Sequence, residues 1–121
     1  MSLKLFTIST LYPGNLRSFY RRFSDAVNLK YEDHYNLLMN DTTEFAGSYY
    51  RTFTKLGINT RCSIVNDPSL QHKWRNENCK RSMDDRELLF EQVQRFEPDI
   101  LWIDNLSVTD NNWLINIRKS V

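Results

Sequence analysis

The sequence contains little glycine, proline or cysteine, and it has no low-complexity tract. Its 121 residues include three glycines, three prolines and two cysteines. Cys62 lies on a predicted strand and Cys79 in a predicted loop, and two such residues do not make a disulfide framework. Because disulfides are rare in the cytosol, we expect two reduced thiols in a cytoplasmic protein.

Strong net charge and long apolar runs are also missing. The formal net charge is +1, so bulk electrostatics favour neither nucleic acid nor an anionic membrane. No stretch approaches the roughly 20 apolar residues that a bilayer span needs. The N-terminus enters a predicted strand without the apolar region of a signal peptide, which also favours a cytoplasmic location.

The composition is that of a folded domain. Hydrophobic residues make up 40% of the chain and aromatic residues 13%, which is enough for a core and argues against disorder. The length is within the range of one domain. We therefore predict a single domain over residues 1–121.

Three short β-rich segments alternate with helical patterns, at residues 4–9, 60–65 and Ile100–Ile103. Pro98 stops the helix before the third segment. The third segment is apolar at every position, which predicts a strand buried on both faces. Strands that alternate with helices imply right-handed crossovers and a parallel sheet. The predicted fold is α/β: a Rossmann-like three-layer α/β/α domain with a short parallel sheet ordered 2-1-3.

The third strand is then an open edge, although it is the most apolar of the three. A bare apolar edge promotes association. Three strands are also few for a doubly wound domain. We therefore expect either that the chain is a truncated half of such a domain and a fragment of a longer protein, or that it self-associates through this edge.

The first crossover contains several predicted helices. Residues 16–23 and 31–40 show helical spacing of apolar side chains. A further helix follows the capping sequence at residues 41–44, and Gly57 is placed to end it. Its apolar residues recur at steps of four, four and three: Phe45, Tyr49, Phe53 and Leu56.

The second crossover contains two predicted helices. Asn66 or Asp67 is expected to cap the first helix of this pair, and Asp84 or Asp85 begins the second. A last helix is predicted over residues 110–118.

Polar residues follow the first strand at a turn. Tyr12, Pro13, Gly14 and Asn15 precede a helix, whose free N–H groups favour an anion, and the glycine lets a ligand approach the backbone. Ligands gather at the carboxyl ends of parallel strands, so these four residues are candidate substrate-binding residues. An ordinary strand-to-helix turn is the alternative.

The other two strands also end in polar residues. Asp104 is a candidate to take a proton from an acceptor hydroxyl, and Asn105 is a candidate substrate-binding residue, although both residue types are common helix caps. Asn66 is interpreted first as a cap and second as a cleft residue. His34 and His72 lack the spacing of metal ligands, so no metal site is predicted.

A set of short motifs runs in order along nearly the whole chain. They are residues 5–14 (Leu-Phe-Thr-Ile-Ser-Thr-Leu-Tyr-Pro-Gly), Phe19-Tyr20, residues 48–50 (Ser-Tyr-Tyr), Leu56-Gly57, Asn66, Leu70-Gln71, Trp74, Glu77, Gln92, Pro98-Asp99 and the strand Ile100–Ile103. In this order the motifs resemble the N-terminal half of GT-B-type glycosyltransferases, in particular the bacterial, CgeB-like group. The chain departs from that pattern at Asn78-Cys79, where a glycine usually follows the glutamate.

The resemblance implies transfer of a sugar from a nucleotide-activated donor to an acceptor. In such enzymes two Rossmann-like domains face each other across a cleft. The N-terminal domain mostly holds the acceptor, and the loop after its first strand can approach the donor phosphates. The nucleotide-sugar donor binds to a C-terminal domain, which this sequence does not contain. We therefore expect a chain that is inactive alone, needs no cofactor, and acts on an acceptor that the resemblance does not identify.

Two other classes remain open. One is a non-catalytic, receiver-like or regulatory partner-binding α/β module. A phosphoacceptor receiver needs an acidic pair after the first strand, whereas this chain has Thr10-Leu11 there. The other is half of a nucleotide-binding oxidoreductase, in which Asp67 would bind a ribose hydroxyl. That class is disfavoured because the glycine-rich fingerprint is missing.

Overall fold

The structure is a computed structural model that describes residues 3–105, 107 and 109–120. The predicted domain 1–121 also includes positions 1, 2, 106, 108 and 121, which lie outside the described residues. The elements in chain order are β1 (Lys4–Ser9), α1 (Pro13–Arg22), a 3₁₀ helix (Ser24–Asn28), α2 (Tyr31–Asp41), α3 (Phe45–Lys55), β2 (Asn59–Ile64), α4 (Pro68–Glu77), α5 (Asp85–Phe96), β3 (Ile100–Ile103) and α6 (Asn111–Ser120).

The three strands form one parallel sheet in the order β2-β1-β3. At the centre of the register, Thr7 of β1 lies between Cys62 of β2 and Trp102 of β3. This arrangement confirms the predicted α/β class and the strand order, and it is consistent with a small Rossmann-like domain. The carboxyl ends of the strands lie at one edge of the sheet, where α1 and α3 also begin.

Helices cover both faces of the sheet and make two apolar clusters. One cluster joins β2 to α1, α2, α3 and α4, with Phe19, Tyr35 and Met39 at its centre. The other joins β1 to α5 and α6, through residues such as Phe6 and Trp113. The three-layer arrangement therefore follows from the apolar faces that the helices direct toward the sheet.

Local capping chemistry explains several helix boundaries. Asp67 caps α4 by accepting hydrogen bonds from the N–H groups of the second and third helical residues, and Pro68 is the first residue of the helix. Asp84 and Glu87 form a reciprocal capping box at the start of α5. Gly57 has a φ of +85° after α3, which is the left-handed conformation expected there. The alternative that Asn66 caps α4 is wrong, since Asp67 does so.

The prediction that β3 is buried on both faces is wrong. Leu101 and Ile103 pack against the cluster under α5 and α6. On the other face Ile100 is 46% exposed and Trp102 is 40% exposed. The reason is topological: β3 is an edge strand, and the helix layer above it ends at α3. An apolar residue at every position therefore does not require a cover on both sides.

The apolar stripe of α3 also faces outward. Phe45 is 71% exposed and Leu56 is 70% exposed, whereas the residues that α3 buries are Ala46 and Gly47. The rings of Tyr49 and Phe53 lie over Trp102, with centroids 5.1 and 6.2 Å away. The helix and the edge strand thus share one exposed surface. We call it the aromatic face, and its residues are Phe45, Tyr49, Phe53, Leu56, Ile100 and Trp102.

Candidate functional site

A cleft of about 280 Å³ lies at the carboxyl edge of the sheet. The loop after β1, the end of β3 and the start of α3 form its walls. We call it the carboxyl-edge cleft, and its lining residues are Thr10, Tyr12, Thr43, Glu44, Phe45, Ala46 and Asp104. It lies where open α/β sheets bind ligands.

The loop after β1 is held by Glu44, which precedes α3. The Glu44 carboxylate accepts hydrogen bonds from the Tyr12 N–H, at 3.0 and 3.1 Å, and from the Asn15 side-chain amide, at 2.8 Å. Tyr12 is the N-cap residue of α1 and Pro13 is its first residue. The positive end of the α1 dipole therefore faces a carboxylate of the chain itself. The sequence analysis predicted that an anion from outside the chain would bind at this helix N-terminus.

Sequence reasoning missed the role of Glu44, because it placed this residue only in the capping segment of α3. Glu44 does occupy the N-cap position of α3, but no side-chain capping bond forms there. Its partners lie 29 and 32 residues earlier in the chain. No local pattern reports a contact at that separation.

Asn66 fastens the same loop from β2. Its side-chain oxygen accepts from the Leu11 N–H at 3.0 Å, and its side-chain nitrogen donates to the Leu11 carbonyl at 2.6 Å. Both of its hydrogen-bonding atoms thus engage the backbone of the β1 loop. Asn66 is not among the residues that line the cleft, so it positions the loop.

Asp104 and Asn105 continue from β3 toward the cleft. The Asp104 N–H donates to the Ile8 carbonyl at 2.8 Å, and its exposed side chain lines the cleft. Asn105 accepts from the Ser107 N–H at 2.8 Å, and its amide nitrogen lies 3.5 Å from the Thr10 hydroxyl. The end of β3 is thereby joined to the end of β1.

The structure brings some of the predicted residues together and separates others. Tyr12 and Asp104 share the cleft, and Asn15 reaches its wall through Glu44. Pro13 and Gly14 lie in the first turn of α1 and are not among the lining residues.

The lining of the cleft combines acidic, hydroxyl and aromatic side chains. Two carboxylates, of Glu44 and Asp104, and two threonine hydroxyls offer hydrogen-bonding groups. Exposed aromatic rings of Tyr12 and Phe45 flank them. None of the described lining residues is a lysine or an arginine, so the cleft offers no cation to a phosphate.

A second polar cluster is buried between α1, α2 and α4. The Tyr20 hydroxyl donates to the Asp67 carboxylate at 2.6 Å and lies 3.0 Å from His34 Nε2. Lys73 Nζ lies 2.8 Å from His34 Nδ1 and donates to the Ala26 carbonyl at 2.7 Å. An ammonium group only donates, so Nδ1 is the acceptor and Nε2 carries the proton that it gives to Tyr20.

The electrostatics of this cluster follow from its burial. His34 is fully buried. Burial, with the neighbouring charge of Lys73 as a second cause, lowers the pKa of His34 to about 4. Burial also raises the pKa of Asp67 and lowers the pKa of Lys73. The sequence pattern did not predict this buried cluster, because its members come from four separate segments of the chain.

Comparison of the chain with protein-family models, with curated proteins and with solved structures returns no match in any of the three. Across residues 3–105, 107 and 109–120, no three histidine, cysteine or acidic side chains are grouped so that they would hold a metal ion. Within the same residues, every helix is too short or too polar to cross a bilayer.

Proposed function

We propose that this chain is the acceptor-side domain of a glycosyltransferase with a nucleotide-sugar donor, and that the carboxyl-edge cleft binds the acceptor. The observation that carries the proposal is the pairing of two carboxylates with exposed aromatic rings in one cleft without a cation. Carboxylates accept hydrogen bonds from sugar hydroxyls, and aromatic rings cover the apolar face of a sugar. The motif resemblance supports the same reaction class.

The position of Glu44 disfavours the donor and tolerates the acceptor. Its carboxylate lies at the N-terminus of α1 and would repel the phosphates of a donor, although this loop is the one that was expected to approach them. A neutral acceptor meets no such repulsion. The donor would therefore bind to a second domain, and this chain would not transfer sugar alone.

In this proposal each candidate residue has a distinct role. Asp104 takes the proton from the acceptor hydroxyl as a general base. Tyr12 contacts the acceptor, and Asn105 joins the end of β3 to the end of β1 beside it. Asn15 and Asn66 hold the loop, and Pro13 and Gly14 set its turn into α1. No cofactor enters the scheme.

The test is a titration of the isolated chain with oligosaccharides, in which NMR spectroscopy records the backbone amide chemical shifts. We expect neutral oligosaccharides to shift the amides of Thr10, Tyr12 and Asp104, with dissociation constants of about a millimolar. Asp104→Asn should weaken this binding. Asp33→Asn changes an exposed aspartate on α2 and serves as the matched control, with no effect. Micromolar binding of a nucleotide-sugar by this chain would contradict the proposal.

A non-catalytic partner-binding module is the second candidate. The aromatic face favours it, because contiguous exposed apolar surface marks interaction sites. In that case saccharides would not shift the amide resonances around the cleft, and the spectra of Asp104→Asn with and without saccharide would be the same.

A further inference from the structure

The two edges of the sheet are covered differently. At the outer edge of β2 the Cys62 N–H donates to the Tyr35 hydroxyl at 2.9 Å, and Gln71 donates to the Ile64 carbonyl at 2.9 Å. Side chains of α2 and α4 thus satisfy the backbone of that edge. At β3, no group in the described part of the chain makes an equivalent bond. The uncovered edge is therefore confined to β3.

The register shows which backbone groups of β3 are free. The Asp104 N–H donates to the Ile8 carbonyl at 2.8 Å, just after the strand, and the register places Ile8 beside Ile103. In a parallel strand the N–H and C=O of one residue point to the same side, and this side alternates along the strand. Ile100 and Trp102 therefore direct their backbone groups to β1, whereas Leu101 and Ile103 present theirs to the outside.

The residues that alternate with these two along β3, Ile100 and Trp102, belong to the aromatic face. Ile100 and Trp102 direct their side chains toward α3, where Tyr49 and Phe53 contact the Trp102 ring. A partner that binds this edge thus meets free backbone groups and an apolar surface together. Its complementary chemistry is an extended strand with large apolar side chains on one face, which is what β3 itself has.

The charges around this surface are arranged with opposite signs at its two ends. Glu44 and Asp104 lie at the carboxyl edge, where α3 begins. Lys55 is the last residue of α3, at the opposite end. Asp99 is also at that end, but its carboxylate accepts from the Lys4 backbone N–H at 2.8 Å and is thereby held toward β1. A surface of this kind is complementary to itself when it is turned end for end.

We propose that a second copy of this chain binds here, with the two β3 strands paired antiparallel about a twofold axis. Leu101 of each copy then lies opposite Ile103 of the other, and each such pair exchanges two backbone hydrogen bonds. The sheet continues through the axis in the order β2-β1-β3-β3-β1-β2. The two aromatic faces meet on one side of it, and Lys55 of each copy approaches Glu44 and Asp104 of the other. The interface is isologous, as a twofold axis requires.

Sedimentation velocity over a concentration series tests the association. We expect a monomer–dimer equilibrium for the wild-type chain. Trp102→Lys places a charge on the edge strand and should weaken the dimer by at least about tenfold, as expected for a central aromatic residue. Ile115→Lys changes a residue of α6 that is exposed to a similar degree and should leave the equilibrium unchanged. Circular dichroism verifies that each variant is folded.

A second variant and a second measurement separate strand pairing from other contacts. Ile100→Lys should weaken the dimer as Trp102→Lys does. The test therefore remains possible if the Trp102 variant is unfolded. Amide hydrogen exchange at Leu101 and Ile103 should slow as the protein concentration rises. A chain that is monomeric throughout overturns the proposal. So does a dimer that survives both lysine variants, or one in which these amides exchange at a concentration-independent rate.

Discussion

Gly47 determines how closely α3 approaches the segment that follows α2. A Cβ atom at this position would lie 2.6 Å from the Thr42 carbonyl oxygen and 2.8 Å from Arg51 Nη1, and it would also meet Thr42 Cγ2. The Thr42 carbonyl is backbone and itself accepts from Arg51 at 2.8 Å. The neighbours therefore have little freedom to move aside.

We expect Gly47→Ala to lower the free energy of unfolding by about 2 kcal/mol, as overpacking does. Gly14→Ala is the matched control, since its nearest neighbour would be 3.8 Å away. That change should be neutral or stabilising by less than about 1 kcal/mol, because alanine favours a helix. Urea denaturation of the two variants measures both effects. Equal stabilities would show that α3 moves away without cost.

At the scale of the element, the end of α5 departs from the local preferences of its sequence. Glu97 follows the helix with a φ of 54°, in the left-handed region. A side chain disfavours that conformation, and glycine is the usual residue there. Pro98 comes next and prevents the helix from continuing.

Glu97→Gly should therefore stabilise the protein by about 0.5–1 kcal/mol, after the extra freedom of glycine in the unfolded chain is counted. The same change within the helix, Gln94→Gly, should destabilise it by about 1 kcal/mol. Thermal unfolding gives both signs in one experiment. A fall in midpoint for Glu97→Gly would mean that its side chain makes a contact worth more than the backbone strain.

Local sequence patterns were sufficient to predict the helices and strands. They were insufficient to predict which side chains are exposed and which distant residues make contact. The Asp67 cap and the Gly57 turn were predictable because each depends on a few adjacent residues, and the parallel order was predictable because strands alternate with helices along the chain. The exposure of Trp102 was not, since it depends on which helix lies above β3. The contact of Glu44 with Tyr12 was also not predictable, because the chain between them makes two α-helices and a 3₁₀ helix before it returns.

At the scale of the whole molecule, the buried cluster of Tyr20, His34, Asp67 and Lys73 joins α1, α2 and α4. Every link in it is a hydrogen bond between segments. The proton on His34 Nε2 satisfies Tyr20, whereas Nδ1 accepts from Lys73. A second proton on His34 would have to displace the Lys73 contact and place two positive charges side by side. The cluster thus couples the protonation of one side chain to the stability of the domain.

The sign of this coupling follows from the pKa of His34, which is lowered from 6.5 to about 4 by burial and by Lys73. Between these values the unfolded chain binds more protons than the folded one, so stability falls as the pH falls. The loss should be about 1–2 kcal/mol from pH 6.5 to about pH 5. Glu32 and Asp41 have lowered pKa values through their hydrogen bonds to Arg61 and Arg22, and they titrate below this window.

Asp67 acts in the opposite direction, because its pKa is raised by burial and the folded state gains its proton first. A variant of His34 that keeps Asp67 therefore separates the two contributions. His34→Gln keeps an acceptor for Lys73 and a donor for Tyr20 but does not titrate. Its unfolding free energy should therefore be flatter than that of the wild type between pH 6.5 and about pH 5. If the free energy of unfolding changed with pH equally in the two proteins, His34 would take up its proton as readily in the folded state as in the unfolded state. The contact of His34 with Lys73 would then open as the pH falls.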